Sequence, residues 1–198
     1  MWDGLSTTLT GDRIVLEPLD ARHEASLRAA AADGRIFAWM PYKLDNPAQF
    51  EAWFALARDA LDDGAAAPFA TVERASGTVL GSTAFREPRP DVSVEVGATW
   101  LAPAAWGTGV NVEAKLLMLA HAFDTLGCAR VELKTDARNE RSRGAMAALP
   151  AQFEGVHRRH MRLPDGTLRD SAWYSVIAEE WPDVRANLRR RLAARRGP

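Results

Sequence analysis

The stretch WGTGVN, residues 106–111, sets two glycines around one threonine, between two segments of different character. The run before it, VEVGATWLAP at residues 94–103, is apolar. It predicts a strand that ends at Pro103, because proline cannot donate to a sheet ladder. The run after it, VEAKLLMLAHAF at residues 112–123, repeats apolar residues at helical spacing. The sequence therefore predicts a sharp strand-to-helix turn in which glycine lets the backbone approach a ligand closely.

This glycine turn is suited to binding a phosphate or pyrophosphate. A helix that begins right after Gly-x-Gly has free backbone N–H groups in its first turn and a partly positive end. A tight turn without a ligand is the alternative. The phosphate loop of nucleotide hydrolases is excluded, because it needs Lys-Ser or Lys-Thr where this chain has Val110-Asn111. The dinucleotide fingerprint is also excluded, because it needs a third glycine early in a parallel sheet.

The composition is that of a globular protein. The chain has 198 residues, 47% hydrophobic and 26% charged, and residues 1–198 are predicted to form a single domain. The formal net charge of −1 predicts no affinity for nucleic acid or for an anionic membrane. The single cysteine, Cys128, excludes an intrachain disulfide and fits a cytoplasmic location. The sequence also predicts no signal peptide and no membrane-spanning segment.

The predicted elements follow the order of a mixed α/β protein. A strand and two helices precede a three-stranded antiparallel meander; the helix after the glycine turn, a strand, a short helix, a hairpin and a terminal helix follow. Asn46 and Asn139 are predicted N-caps, Gly127 a predicted C′ residue, and Pro164-Asp165-Gly166 the hairpin turn. The predicted strands cover residues 8–19, 68–75, 78–85, 92–102, 128–137, 151–163 and 166–178. The predicted helices cover residues 20–34, 46–64, 112–127, 139–150 and about 179–196.

Two groups of residues, one of arginines and one of histidines with a cysteine, are interpreted as binding neither nucleic acid nor metal. The arginines between Arg189 and Arg196 could suggest nucleic acid, but a solvated helix face with cations near the helix C-terminus is the preferred interpretation. His157, His160 and Cys128 have no recognised metal-ligand spacing and no clear carboxylate partner. We therefore predict no nucleic-acid partner, no membrane partner and no metal.

Three segments, VEVGATWLAPAAWGTGVNVEAKLLML, LKTDARNERS and FEGVHRRHMRLPDGTLRD, together resemble the Gcn5-related N-acetyltransferase (GNAT) family. The branch that they resemble contains the ribosomal-protein N-terminal acetyltransferases RimJ and RimL. An LEPL strand and a WMP loop near the N-terminus extend the resemblance over nearly the whole chain. The resemblance implies a central, mostly antiparallel twisted sheet, splayed between its fourth and fifth strands and flanked by helices.

The resemblance also implies that acetyl-coenzyme A binds between those two strands. The pantetheine arm is expected to pair with the backbone of the fourth strand, and the pyrophosphate to rest on the N–H groups of the glycine turn. The residues that open the following short helix are expected to complete the site. The expected cofactor-binding residues are Trp100, Leu101, Ala102, Gly107, Thr108, Gly109, Val110, Asn111, Val112, Asn139, Arg141 and Ser142. A homodimer is expected by analogy with similar proteins.

Four positions depart from the family pattern. The motif usually begins with Arg or Gln, where this chain has Trp106, and ends with Gly or Ala, where it has Asn111. The branch tolerates both residues, which implies that the backbone binds the pyrophosphate without the arginine. Many relatives carry a catalytic tyrosine where this chain has Met146, and a glycine where it has Pro150. The last two departures support an alternative, a ligand-binding module that holds acyl-coenzyme A either as a sensor or as a relic that has lost catalysis.

Acyl transfer needs a base for the proton of the amine, a donor to the thioester carbonyl and an acid for the leaving thiolate. Glu95 is the first candidate base, because alternation places it opposite the apolar side chains of Val94 and Val96. A solvent-facing carboxylate is the alternative. His160 is the second candidate base, with a surface histidine as the alternative. The donor to the carbonyl is expected to be a backbone N–H of the fourth strand.

Two side chains are candidates for the acid. The resemblance implies that Ser142, one helical turn after Asn139, serves the leaving thiolate; a second helix-capping hydroxyl is the alternative. Tyr174 is the fallback, because a phenol can donate to a thiolate, and a core tyrosine is the alternative.

The acceptor side is expected to be a loop that carries Trp39, Met40 and Tyr42. The cluster either walls the acceptor pocket or packs the loop onto the body of the protein. We therefore expect an acyl-coenzyme A dependent N-acyltransferase, with acetyl-coenzyme A as the donor. The acceptor is a primary amine, either a protein N-terminus or a small molecule. A sensor, or a transferase of a larger acyl group such as succinyl, is the alternative.

Overall fold

An eight-stranded sheet organises the computed structural model, which describes residues 2–163 and 165–195. Pro164 of the predicted hairpin turn and Arg196 at the predicted helix end lie outside these residues. The strands are β1 Leu9–Thr10, β2 Ile14–Pro18, β3 Ala66–Glu73, β4 Val79–Arg89, β5 Ser93–Leu101, β6 Arg130–Asp136, β7 Gln152–Arg162 and β8 Leu168–Ile177. The helices are α1 Glu24–Ala30, α2 Pro47–Asp62, α3 Val110–Ala120, α4 Glu140–Ala148 and α5 Trp181–Ala193.

The strand order is β1-β2-β3-β4-β5-β6-β8-β7, and every neighbouring pair is antiparallel except β5 with β6. That parallel pair is short, because it joins only residues 93–95 to residues 130–132. Beyond these residues the two strands separate. This confirms the predicted mixed fold, with a mostly antiparallel sheet that is splayed between the predicted fourth and fifth strands.

The N-terminal strand was predicted as one element over residues 8–19, and this prediction is wrong. The N–H of Gly11 donates to the carbonyl of Ile14 at 2.9 Å, which makes a tight turn between β1 and β2. Glu113 Oε1 holds that turn from α3 by accepting from the N–H groups of Asp12 and Arg13. The turn adds a strand, so that the predicted fourth and fifth strands are β5 and β6.

The sheet separates two cores, and a bulge in β5 decides which residues enter each. Val94 and Val96 lie in the larger core with α3 and α5, whereas Trp100 lies in the smaller core with α1 and α2. Strict alternation would put all three on one face. The register with β4 shifts near Ala98, whose φ is 49°, and the extra residue turns Trp100 to the opposite face.

The helix boundaries are partly as predicted. The side chains of Asn46 and Asn139 accept from the backbone N–H groups of Gln49 and Ser142, which confirms both N-caps. The predicted helix over residues 20–34 is wrong in length, because the side chain of Asp33 caps a separate turn at Gly34–Phe37.

The helix after the glycine turn begins earlier than predicted, and its regular part ends earlier. It begins at Val110 and continues past Ala120 as a π-helical turn, His121–Thr125, before Gly127 adopts the left-handed conformation predicted for it. The terminal helix is also shorter than predicted, since it begins at Trp181 and ends at Ala193.

Candidate active site

A cavity of about 590 Å³ opens where β5 and β6 separate. The turn after β5 leads into α3, and the turn after β6 leads into α4, so both helices begin beside the cavity. Of the predicted cofactor-binding residues, nine line it, namely Trp100, Leu101, Gly107, Gly109, Asn111, Val112, Asn139, Arg141 and Ser142. Ala102, Thr108 and Val110 are not among its lining residues.

The glycine turn lies between β5 and α3, as predicted, and hydrogen bonds hold its backbone. Gly107 and Gly109 have φ values of 75° and 99°, which favour glycine, and Gly109 is the N-cap of α3. The indole N–H of Trp106 donates to the carbonyl of Leu101 at 2.8 Å, and the hydroxyl of Thr108 donates to the carbonyl of Ala105 at 2.8 Å. The side chains of Trp106 and Thr108 therefore fix the backbone of the turn beside the cavity.

Two backbone groups that were expected to meet the pantetheine arm are already bonded within the chain. The carbonyl of Leu101 accepts from Trp106, and the N–H of Ala102 donates to the carbonyl of Leu80 at 2.8 Å. Trp100 contributes a side chain that is 3% exposed and packs with Phe37. Trp100 thus packs the end of β5 against the smaller core.

Arginines distant in sequence surround the glycine turn. Arg13 Nη1 donates to the carbonyl of Thr108 at 2.7 Å, and Arg195 Nη1 contacts the carbonyl of Gly107. Arg191 lines the cavity and donates to the carbonyl of Ala148 at 2.8 Å. Sequence analysis missed these residues, because nothing in their local spacing places them beside residues 106–111.

The interpretation of the terminal arginines therefore needs a correction. Arg189 and Arg190 are exposed, as a solvated helix face requires. Arg191 is instead half-buried and lines the cavity, so the predicted solvated face is wrong for this side chain. Arg195 is exposed, as predicted, but its guanidinium also contacts the carbonyl of Gly107 beside the cavity.

Glu95 lies at the point where the two strands separate. Its side chain is 1% exposed, lines the cavity and lies opposite the valine face of β5, so the solvent-facing alternative is wrong. Lys134 Nζ lies 2.7 Å from Oε2, although the angles are not those of a hydrogen bond, and Arg86 Nη1 lies 3.8 Å from Oε1. A side chain at Gly97 would collide with the carboxylate, so glycine preserves its space.

The other catalytic candidates divide into two groups. Ser142 is half-buried in the first turn of α4 and lines the cavity with Asn139. Tyr174 is 4% exposed in the larger core, and its hydroxyl accepts from Arg143 Nε at 3.2 Å. His160 Nδ1 lies 3.0 Å from Ser171 Oγ, and desolvation, with smaller effects from nearby cations, lowers its pKa. Neither Tyr174 nor His160 lines the cavity.

The acceptor loop both lines the cavity and packs onto the protein. Trp39, Met40 and Tyr42 all line the cavity. The ring of Tyr42 lies 6.1 Å from that of Phe37 and 6.5 Å from that of Trp53. Burial raises the pKa of the Tyr42 phenol. The two alternatives for this loop are therefore compatible.

Lys115 is an ionisable cavity residue that sequence analysis missed. It lies on α3, lines the cavity and donates from Nζ to Thr99 Oγ1 at 2.7 Å. Desolvation lowers the pKa of its ammonium to about 7, although the charge of Glu95 opposes this change. The only sequence signal was a lysine within the apolar run VEAKLLML.

The lowered pKa of Lys115 predicts a pH-dependent stability. The folded-state pKa of about 7 lies below the ordinary value of 10.5, so between these values the folded state binds fewer protons than the unfolded state. Folding stability therefore rises with pH across this window. We expect the unfolding free energy of the wild type, minus that of Lys115→Met, to grow by about 2 kcal/mol from pH 7 to pH 9. Urea unfolding of both proteins measures this difference; an equal difference at both pH values would contradict the lowered pKa.

The described residues contain neither a metal-binding cluster nor a membrane-spanning helix. Between residues 2 and 195, Pro164 aside, no group of three or more His, Cys, Asp or Glu side chains is arranged to hold a metal ion. Within the same residues, no helix is long and apolar enough to cross a membrane.

Comparisons with known proteins identify the family. The acetyltransferase (GNAT) domain model matches residues 13–151. Two provisionally assigned acetyltransferase structures, the second from T. thermophilus, are 37% and 36% identical to this chain, with TM-scores of 0.85 and 0.84. The matches cover 97% of this chain in both cases, and 96% and 100% of those chains.

A third structure supports the fold alone. Mycobacterium smegmatis RimJ in complex with CoA-disulfide is 23% identical, has a TM-score of 0.81 and matches over 98% of this chain and 97% of its own. No curated protein matches the sequence. On the strength of the domain match and the two more similar structures, the chain belongs to the GNAT family and is an acyl-coenzyme A dependent N-acetyltransferase.

Proposed function

We propose that the protein transfers an acetyl group from acetyl-coenzyme A to a primary amine by direct attack, the amine being a protein N-terminus or a small molecule. The observation that carries the proposal is the buried carboxylate of Glu95, which lines the same cavity as the N-terminal turn of α3. A base and a seat for the donor in one cavity are what direct transfer requires, because both reactants must be held together.

The residues beside α3 fit coenzyme A. Gly107 and Gly109 adopt left-handed conformations and add no side chain of their own to the turn. Asn111 Oδ1 is buried, and no described residue gives it a hydrogen bond. Arg191 and Arg195 supply positive charge for phosphates, in place of the arginine that the family motif has at Trp106. When bound, acetyl-coenzyme A supplies an acyl group activated as a thioester.

The proton transfers are assigned to two side chains. Glu95 is the proposed base, which takes the proton of the amine directly or through water. One carboxylate can suffice for an α-amino group, because its pKa of about 8 leaves a useful neutral fraction near pH 7. Ser142 is the proposed acid for the leaving thiolate, since it lines the cavity at the start of α4, whereas Tyr174 lies in the core. His160 remains a weaker candidate base.

The test is a calorimetric titration with acetyl-, succinyl- and free coenzyme A, followed by thiol release with a panel of amines. We expect binding of acetyl-coenzyme A with micromolar affinity and thiol release above the buffer rate with at least one amine. The same titration on Arg191→Gln, with exposed Arg189→Gln as the control, tests the phosphate assignment. Binding without turnover would favour the sensor, turnover of succinyl alone would favour the larger acyl group, and no binding of any donor would overturn the proposal.

A further inference from the structure

The acceptor end of the cavity carries more positive than negative charge. We define this end by the lining residues Arg86, Lys134, Arg169 and Glu95. Glu95 is the single carboxylate among the described residues that line the cavity, and it lies beside Arg86 and Lys134. Asp136 lies nearby but is engaged elsewhere, because the guanidinium of Arg138 donates to both of its oxygens at 3.0 and 2.8 Å. One cation can be neutralised by Glu95, so this end of the cavity is left with a surplus of positive charge.

Arg169 is the most buried of these cations. It is 6% exposed on β8, and the one hydrogen bond that its side chain forms with a described residue runs from Nε to Ser171 Oγ at 3.0 Å. Within the described residues, no carboxylate oxygen lies within 4 Å of a guanidinium nitrogen of Arg169, the distance that an ion pair requires. Desolvation lowers the pKa of the guanidinium, despite the charges of Asp136 and Glu95. Burying an unpaired cation is costly unless a ligand supplies the opposite charge.

A second unsatisfied group lines the same cavity. The hydroxyl of Tyr42 is buried, and no described residue forms a hydrogen bond with it. Arg169 and Tyr42 lie close enough for each to affect the pKa of the other. A guanidinium fork and a phenol together offer the donors that a carboxylate accepts, and arginine suits a carboxylate better than a single point charge does.

We propose that the acceptor amine carries a carboxylate, which Arg169 and Tyr42 bind while the amine lies at Glu95. This proposal rests on the proposed transferase function and names the class of its acceptor. The carboxylate could belong to a free amino acid or to an acidic side chain beside a peptide N-terminus. The exposed arginines Arg158 and Arg159 on β7 are not lining residues of the cavity and take no part in it.

The experiment compares matched acceptors in which one carboxylate is replaced by its amide. The probes are the standard amino acids that have a primary α-amine, with their amides, and dipeptide amides with Asp or Asn at the second position. We expect the wild type to favour the carboxylate member of at least one pair by roughly 10- to 100-fold in kcat/KM, the range expected for a hydrogen-bonded ion pair. A preference confined to amino acids or to Asp dipeptides identifies the source of the carboxylate. Equal rates within every pair would overturn the proposal.

Variants assign that preference to the two residues. Arg169→Gln is expected to abolish it mainly through KM, Tyr42→Phe to reduce it, and Arg169→Lys to retain part of it. Arg158 is a surface arginine on the neighbouring strand, so Arg158→Gln is expected to leave the carboxylate preference unchanged. A preference that survives Arg169→Gln in a folded protein would overturn the assignment. So would a dependence on Arg169 seen only with succinyl-coenzyme A, because the carboxylate would then belong to the donor.

A binding measurement separates this proposal from the transferase function. N-acetylated amino acids and their amides are titrated into the protein in the presence of coenzyme A. Weaker binding of the amides, lost in Arg169→Gln, would support the carboxylate site even if no amine were turned over. Equal binding of both forms, with turnover of uncharged amines intact, would overturn the carboxylate site and leave the transferase function standing.

Discussion

Replacing Glu95 by glutamine is expected to lower kcat by about 10²- to 10⁴-fold, the usual contribution of a general base. The substitution removes the carboxylate but keeps the shape of a side chain that is 1% exposed where β5 and β6 separate. The binding of acetyl-coenzyme A should change little, because the proposed cofactor seat lies on the glycine turn. Thiol-release kinetics measure kcat, and calorimetry measures the affinity for the donor.

A matched control exists one strand away. Glu132 pairs in register with Glu95, is 7% exposed and forms ion pairs with Arg89 and Arg130, but it does not line the cavity. Glu132→Gln therefore removes a comparable buried charge outside the site. If both variants lose kcat equally, or if Glu95→Gln keeps the wild-type kcat, Glu95 is not the base. Urea unfolding must accompany the kinetics, since Lys134 loses its ion-pair partner in Glu95→Gln.

Replacing Gly109 by tryptophan is expected to weaken the binding of acetyl-coenzyme A by at least roughly 100-fold, because several charge-assisted hydrogen bonds to phosphate would be lost. Gly109 has a φ of 99°, and an added Cβ would lie 3.1 Å from Arg195 Cδ and 3.3 Å from Arg13 Nη1. A bulky side chain would therefore fill the space where the turn, the helix N-terminus and the arginines meet. Calorimetric titration measures the loss.

Gly77→Trp is the control for backbone strain. Gly77 also has a positive φ, 70°, but a Cβ there would meet nothing within 4 Å, and it lies in the turn between β3 and β4. This variant should bear similar strain and keep the wild-type affinity. Wild-type affinity in a folded Gly109→Trp protein would show that the glycine turn is only a turn and that coenzyme A binds elsewhere.

Local sequence was sufficient for features that depend on neighbouring residues. The conformations of Gly107 and Gly109 and the cap at Asn139 follow from steric freedom and short-range hydrogen bonds, and both could be predicted. The face of Glu95 also followed from alternation, because β5 is regular between Val94 and Val96. Alternation fails at Trp100, because the bulge at Ala98 turns this side chain to the opposite face. That bulge depends on how β5 pairs with β4.

The glycine turn, the helix after it and the antiparallel meander β3-β4-β5 were thus determined by the sequence alone, because each rests on contacts between residues close in the chain. Only the tertiary structure decided which charges converge on the cavity. Arg191 comes from α5, Arg195 from the turn after it, Lys115 from α3 and Arg169 from β8, and no spacing in the sequence links them to the glycine turn. Their positions follow from the packing of elements distant in the chain, and so do the burial that lowers the pKa of Lys115 and the unpaired charge of Arg169.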